Sequence, residues 1–202
     1  MKMLAIDCCL RLTGTALMID GEVVACEQED LGRRQSQELP LMAERIMKRN
    51  GLTLDSLDYV ALTNGPGYFT GVRVGAAYAS GLAYASNAKI IPVSSLEMLA
   101  KSSGLTGKIL SAVYAGHGFV YAWCDGELDA GEYTLEEISG WLKANPDAIV
   151  ISDDPERAGV SGLTVRPNMK ALCELAANRP ETAISPLELR VNYYRAPQGV
   201  NV

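Results

Sequence analysis

With 202 residues, of which 48% are apolar and 21% charged, the chain has the size and composition of a globular protein of one domain or two small lobes. Its net charge of −6 repels nucleic-acid phosphates, which argues against tight nucleic-acid binding by this chain alone. Five cysteines without a C-x-x-C pair argue against a disulfide framework or a thiolate zinc site, and no apolar run is long enough to cross a membrane. We therefore expect a cytoplasmic protein.

The first thirty residues predict three antiparallel strands. Residues 3–6 form a short apolar run that ends at Asp7. The runs 13–19 and 22–29 flank Asp20-Gly21, a dipeptide typical of a tight hairpin. A central strand with a carboxylate at its end, followed by a hairpin, is therefore expected.

An amphipathic helix is predicted next. Ser36 is a candidate N-cap, and Gly51 marks the C-terminal end. Five apolar residues share one face at helical spacing: Leu39, Met42, Ala43, Ile46 and Met47.

A glycine-rich loop then follows a buried strand at 57–62. Gly65-Pro66-Gly67 predicts a turn, which brings backbone N–H groups, the Thr70 hydroxyl and Arg73 to the start of a helix at 71–86. Small residues recur at every fourth position of this helix and would allow another element to approach closely: Gly71, Gly75, Ala79 and Ala83. The loop is either an anion site or a structural turn.

The remaining elements suggest two α/β lobes, assigned to residues 1–103 and 104–202. A strand at 89–93 and a helix after Ser94 complete the first lobe. Further strands are predicted at 108–114, 119–124, 128–133, 148–152 and 163–165, with a helix at 169–178. Thr134 and Glu137 form a capping box that starts another helix. The tail after Pro186 is free to return to the first lobe.

Few side chains suit catalysis. His117 is the only histidine, so a histidine pair cannot hold a metal, and no nucleophile–base set is present. Asp7 is either a metal ligand or a structural carboxylate. We predict no catalytic residue and no metal site. The alternative is a nucleotide hydrolase or phosphotransferase whose contacts with a nucleotide or anion come from Asp7, Gly65, Gly67, Thr70 and Arg73.

Three segments resemble the TsaB (YeaZ) family of tRNA threonylcarbamoyladenosine biosynthesis. They are the strand that ends at Asp7, the run G-P-G-Y-F-T-G-V-R-V-G at 65–75, and P-V-S-S-L at 92–96. The resemblance implies the actin-like ATPase (ASKHA) fold, with two ribonuclease-H-like lobes built on mixed sheets. It also implies a non-catalytic protein that pairs with the transferase TsaD, on which the ATPase TsaE then docks.

In that family the first two helices form the heterodimer contact, and the same surface can support a homodimer. The resemblance implies no cofactor of the chain's own, leaves room for ATP or ADP at the subunit interface, and brings tRNA to the protein only through the complex. The residues predicted to contact the partner are Leu39, Met42, Ala43, Ile46, Met47, Thr70, Arg73, Val74, Gly75 and Ala79.

Overall fold

The first sheet has the predicted hairpin at one edge. In a computed structural model that describes residues 1–194, β1 (Lys2–Asp7), β2 (Thr13–Ile19) and β3 (Glu22–Glu29) are antiparallel neighbours. β4 (Tyr59–Thr63) and β5 (Lys89–Val93) add parallel to β1, in the order β3-β2-β1-β4-β5. β1 is therefore a central strand, and Asp7 lies at its carboxyl end.

The second sheet repeats this plan. Its strands are β6 (Ile109–Gly116), β7 (Phe119–Cys124), β8 (Leu128–Thr134), β9 (Ile149–Ser152) and β10 (Leu163–Thr164). β6, β7 and β8 are antiparallel, whereas β9 and β10 run parallel to β6, in the order β10-β9-β6-β7-β8. The two five-stranded sheets are both mixed, as the predicted fold class requires.

Helices cover both sheets in layers. α1 (Gln35–Arg49) and α2 (Phe69–Ser86) pack on one face of the first sheet, and α6 (Met169–Ala177) packs on the other. α3 (Ser95–Ser103) packs on the second sheet and against α6, so these two helices lie between the sheets. α4 (Leu135–Ala144) and α5 (Pro155–Ala158) cover the outer face of the second sheet.

Local signals predicted several helix ends, but not all. The capping box is confirmed: the Glu137 N–H donates to Thr134 Oγ1 at 3.1 Å, and the Thr134 N–H donates to Glu137 Oε2 at 2.7 Å. Ser36 is not an N-cap, because a 3₁₀ turn at Gly32–Arg34 continues directly into α1 and places Ser36 inside the helix. α2 begins at Phe69, before the predicted start, and the short helix α5 was not predicted.

The chain returns to the first sheet earlier than expected. α6 was assigned to the second lobe, yet it covers the first sheet, where Gly14 leaves room for Met169. An alanine Cβ at position 14 would lie 2.6 Å from Met169 Sδ. Ile184 then pairs with Ile90 at the edge of β5, through N–H···O distances of 2.8 and 2.9 Å. Residues 195–202 of the predicted tail lie outside the described residues.

None of the helices within residues 1–194 has both the length and the apolar character that a membrane span requires.

Candidate partner surface and neighbouring cleft

The loop before α2 is fastened to the ends of neighbouring elements. Gly65 has φ +100° and precedes Pro66 through a cis peptide bond. The Ser95 N–H donates to Gly65 O at 3.0 Å, and the Ser95 hydroxyl donates to Pro66 O. The Tyr68 N–H donates to Cys9 O at 2.8 Å. These bonds hold the turn against α3 on one side and against the residues after β1 on the other.

Two glycines bring this loop and α2 onto the chain that follows β1. An alanine Cβ at Gly67 would lie 2.0 Å from Cys9 O, and one at Gly71 would lie 1.9 Å from Cys8 O. Real Cβ atoms do not approach a carbonyl oxygen this closely, so the backbone packs where no side chain fits. The segment that approaches these glycines is therefore the chain directly after the protein's own first strand.

Most residues predicted to contact a partner are buried in the chain's own core. The apolar stripe of α1 and the small residues of α2 face the first sheet; for example, a Cβ at Gly75 would lie 3.4 Å from Cys8 Cβ and 3.5 Å from Leu62 Cδ1. Seven of the predicted positions are buried within the monomer: Leu39, Met42, Ala43, Ile46, Met47, Gly75 and Ala79. An amphipathic pattern predicts burial, and here the burial is intramolecular.

The opposite side of α2 is exposed and almost uncharged. Thr70 and Arg73 are exposed and Val74 is partly exposed, so these three predicted positions remain accessible. At 100° per residue, five exposed residues lie within an arc of about 80°, and we call them the α2 face: Thr70, Arg73, Ala77, Gly81 and Tyr84. The sequence did carry a signal for this face, because Arg73 is the only charged residue of the 18 in α2.

A shallow groove of about 280 Å³ borders the α2 face. Leu54, which precedes β4 in the chain, lines it together with Ala77, Tyr78, Gly81 and Leu82. Tyr84 is 72% exposed, and outside the adjoining helix backbone no described atom lies within 4 Å of the position where a Gly81 Cβ would be. The face thus combines exposed apolar side chains with a flat central part.

The last described residues reach the N-terminal end of this face. The Asn192 N–H donates to Asn64 O at 2.8 Å, which places Tyr193 beside α2. Arg73 Nε donates to the Tyr193 hydroxyl at 3.1 Å, and the guanidinium lies 3.9 Å from the centre of the Phe69 ring. Arg73, predicted to anchor an anion, is already held by two aromatic side chains of its own chain.

Asp7 has the environment of a structural carboxylate. Its Oδ1 accepts from the Cys9 N–H at 3.0 Å and from the Thr63 hydroxyl at 2.5 Å, while Oδ2 has no partner among residues 1–194. Complete burial raises the pKa of Asp7 to about 6, the two hydrogen bonds oppose this shift, and the charge of Asp153 adds to it.

A cavity of about 650 Å³ opens between the lobes beside the start of α2. Of the five residues predicted to contact a nucleotide or anion, only Thr70 lines it; Asp7, Gly65, Gly67 and Arg73 do not. The polar side chains that do line the cavity come from distant parts of the sequence: Arg11, Asp30, Arg33, Gln35, Tyr68, Thr70, Asp154 and Arg157. Apart from Thr70, none of these was predicted as a site residue.

The buried carboxylate leads to a prediction about pH. Because the pKa of Asp7 is raised from 3.8 to about 6, its contribution to stability is complete below pH 4 and is lost as the pH rises through 6. Two pKa units correspond to roughly 3 kcal/mol. Asp7→Asn keeps an acceptor oxygen and removes the charge, so it is expected to unfold at higher urea concentration than the wild type at pH 8. The difference in urea midpoint between Asp7→Asn and the wild type should become smaller toward pH 4.

Urea unfolding at pH 4, 6 and 8 measures this effect, with Asp125→Asn as the matched control. Asp125 is an exposed carboxylate after β7, and its replacement is expected to leave the midpoint almost unchanged. An Asp7→Asn variant that is less stable than wild type at pH 8 would show that the fold stabilises the ionised carboxylate.

Comparisons with known proteins indicate one family. The model for TsaD, tRNA N6-adenosine threonylcarbamoyltransferase, matches residues 28–161. The TsaB protein of Escherichia coli is 35% identical over 154 residues, which span 74% of this chain and 62% of that protein. The TsaB protein of Haemophilus influenzae is 35% identical over 103 residues, or 51% of this chain and 43% of that protein. The chain thus matches less than two thirds of the length of either relative.

Two solved structures from Pseudomonas aeruginosa share the fold. An uncharacterized protein with similarity to peptidase YEAZ superposes with a TM-score of 0.82 at 24% identity, covering 96% of this chain and 99% of that one. YeaZ superposes with a TM-score of 0.76 at 23% identity, and the match covers 95% of this chain and 99% of that one. With the two mixed sheets, these matches confirm the predicted actin-like fold with ribonuclease-H-like lobes.

Proposed function

Because this chain belongs to the TsaD family and is similar within it to TsaB proteins, we propose that it is a non-catalytic subunit of the machinery that forms threonylcarbamoyladenosine in tRNA. It pairs with a TsaD-like transferase and supports transfer of the threonylcarbamoyl group by that partner to the adenosine beside the anticodon. The partner binds through the α2 face.

The observation that carries this proposal is the composition of the α2 face. The exposed side of a surface helix is normally rich in charged residues. α2 instead exposes alanine, glycine and tyrosine over four turns, with Arg73 as its only charge. A depletion of charge with exposed aromatic residues is typical of the centre of a protein interface. Ala77 and Gly81 allow a partner helix to approach closely, and Tyr84 and Leu54 supply apolar area on either side.

The distribution of chemical groups supports a role without catalysis. The sequence has one histidine, so a histidine pair for a metal must come from another chain. Within residues 1–194, no group of three or more potential metal ligands is found. Asp7, the carboxylate of the alternative hydrolase hypothesis, is buried and binds backbone and hydroxyl groups through one oxygen.

The proposal also includes a homodimer, a docking ATPase, a nucleotide and tRNA. A second copy of the chain can use the α2 face to form a homodimer through the same patch on each subunit. A TsaE-like ATPase docks on the heterodimer, ATP or ADP binds at the subunit interface, and tRNA reaches this chain through the complex.

Reconstitution of the modification tests the proposal. We expect transfer of the threonylcarbamoyl group to tRNA when this chain and the TsaD-like protein of the same organism are both present, and little transfer when either is omitted. Asp7→Asn should keep this activity. Full activity of the transferase alone would contradict the proposal. Metal-dependent ATP hydrolysis by this chain alone, lost in Asp7→Asn, would support the hydrolase hypothesis instead.

A further inference from the structure

The cavity beside α2 contains two arginines without an acidic partner among the described residues. Arg11 is paired, because its Nε donates to Asp30 Oδ2 at 3.2 Å and its Nη1 lies 3.9 Å from Asp154 Oδ2. Arg33 and Arg157 also line the cavity, and neither has a carboxylate within 4 Å among residues 1–194. Two guanidinium groups that have no carboxylate partner within the described part of the chain therefore face one cavity in a protein with a net charge of −6.

Two aromatic rings hold the guanidinium of Arg157 in a position where it can bind an anionic group. Its guanidinium lies 4.8 Å from the centre of the Tyr68 ring and 4.7 Å from that of Tyr114. Contact with aromatic rings fixes the plane of an arginine and leaves N–H groups at its edge for a planar acceptor such as a carboxylate. The backbone N–H groups at the start of α2 add positive potential, since no side chain caps that terminus and Thr70 and Gly71 line the cavity.

The cavity is continuous with the proposed partner surface. Thr70 belongs both to the α2 face and to the cavity wall, and Phe69 lines the cavity while its ring contacts Arg73. A protein that covers the α2 face as far as Thr70 therefore reaches the edge of the cavity. Resting on the function proposed above, we infer that an acidic segment of the TsaD-like partner enters this cavity and pairs its carboxylates with Arg33 and Arg157.

An acidic protein segment suits this cavity better than RNA. A polyanion would meet Asp30 and Asp154 in the cavity wall as well as the overall charge of −6. A short segment with one or two carboxylates needs only the two unpaired guanidinium groups, and it can avoid the two aspartates that Arg11 already holds.

The test compares two double variants that remove the same charge. Arg33→Gln with Arg157→Gln removes the unpaired arginines, whereas Lys89→Gln with Lys143→Gln removes exposed lysines on β5 and α4. Affinity for the TsaD-like protein is measured by calorimetry at 50 and 300 mM salt. We expect the arginine variant to bind about tenfold to a hundredfold more weakly at low salt, with a shallower salt dependence. The lysine variant should stay within about twofold of wild type.

Other outcomes separate this inference from the proposed function. Wild-type affinity in the arginine variant would overturn the inference and leave the α2 face as the partner surface. Unchanged partner affinity with weakened tRNA binding by the complex would assign the cavity to RNA and also overturn it. Absence of pairing with the wild-type chain would overturn the proposed function itself. If Arg157→Gln impairs folding, Arg33→Glu, which changes one exposed side chain, makes the same comparison.

Discussion

Replacement of Gly71 by alanine is expected to lower the free energy of unfolding by more than about 3 kcal/mol, a large part of the stability of a typical domain. The added Cβ would lie 1.9 Å from Cys8 O and 3.0 Å from the carbonyl carbon of the same residue. Cys8 cannot easily retreat, because it follows directly on β1, which is paired with β2 on one side and β4 on the other. α2 must therefore move away from the sheet, which exposes buried apolar surface.

Urea unfolding of Gly71→Ala beside Gly81→Ala measures this effect. Gly81 lies in the same helix, but apart from the adjoining helix backbone no atom of residues 1–194 is within 4 Å of its Cβ position, so alanine there is expected to stabilise the protein by about 0.5–1 kcal/mol. The two variants make the same chemical change, but their expected effects on the free energy of unfolding have opposite signs. Equal midpoints for both would mean that α2 does not pack directly on the end of β1.

Replacement of Gly81 by arginine is expected to weaken pairing with the TsaD-like partner by more than about a hundredfold while the monomer stays folded. The monomer accommodates the side chain because the position is open and the helix gains propensity. In the complex, the same side chain would place a charge and several atoms at the point where a partner helix approaches most closely.

Gly140→Arg is the matched control for this variant. Gly140 lies in α4 on the second lobe and is exposed; among the described residues, no atom beyond the adjoining helix backbone lies within 4 Å of its Cβ position. It is expected to fold and to bind the partner like wild type. Gly75→Arg is not a clean test, since position 75 faces Cys8 and Leu62 in the core. Equal partner affinity of Gly81→Arg and Gly140→Arg would remove the α2 face from the interface.

The sequence predicted those parts of the fold that depend on short-range signals. The hairpin at Asp20-Gly21 and the capping box at Thr134 form as expected, because each is determined by a few neighbouring residues. The path of α6 was not predictable in this way. The apolar pattern of α6 does not indicate which sheet the helix packs on. Contacts between residues far apart in the sequence, such as Gly14 and Met169, place it on the first sheet.

The candidate site was predicted only in part, for a similar reason. Helical periodicity showed that Leu39 and Ile46 become buried, but it did not distinguish the chain's own sheet from a partner. The motif at 65–75 indicated that α2 is important, but Gly67 and Gly71 of the motif pack on the residues after β1, and the exposed residues of α2 lie on the other side. Arg33 and Arg157 are far apart in the sequence, and only the fold brings them to one cavity.

This chain is proposed to bind a TsaD-like transferase through the α2 face. Light scattering on a sizing column, with each protein alone and then the two mixed at tens of micromolar, measures this binding. We predict a one-to-one complex for the wild type and for Gly140→Arg, and separate elution for Gly81→Arg. Separate elution of the wild type, even with nucleotide and the TsaE-like protein added, would contradict the proposal.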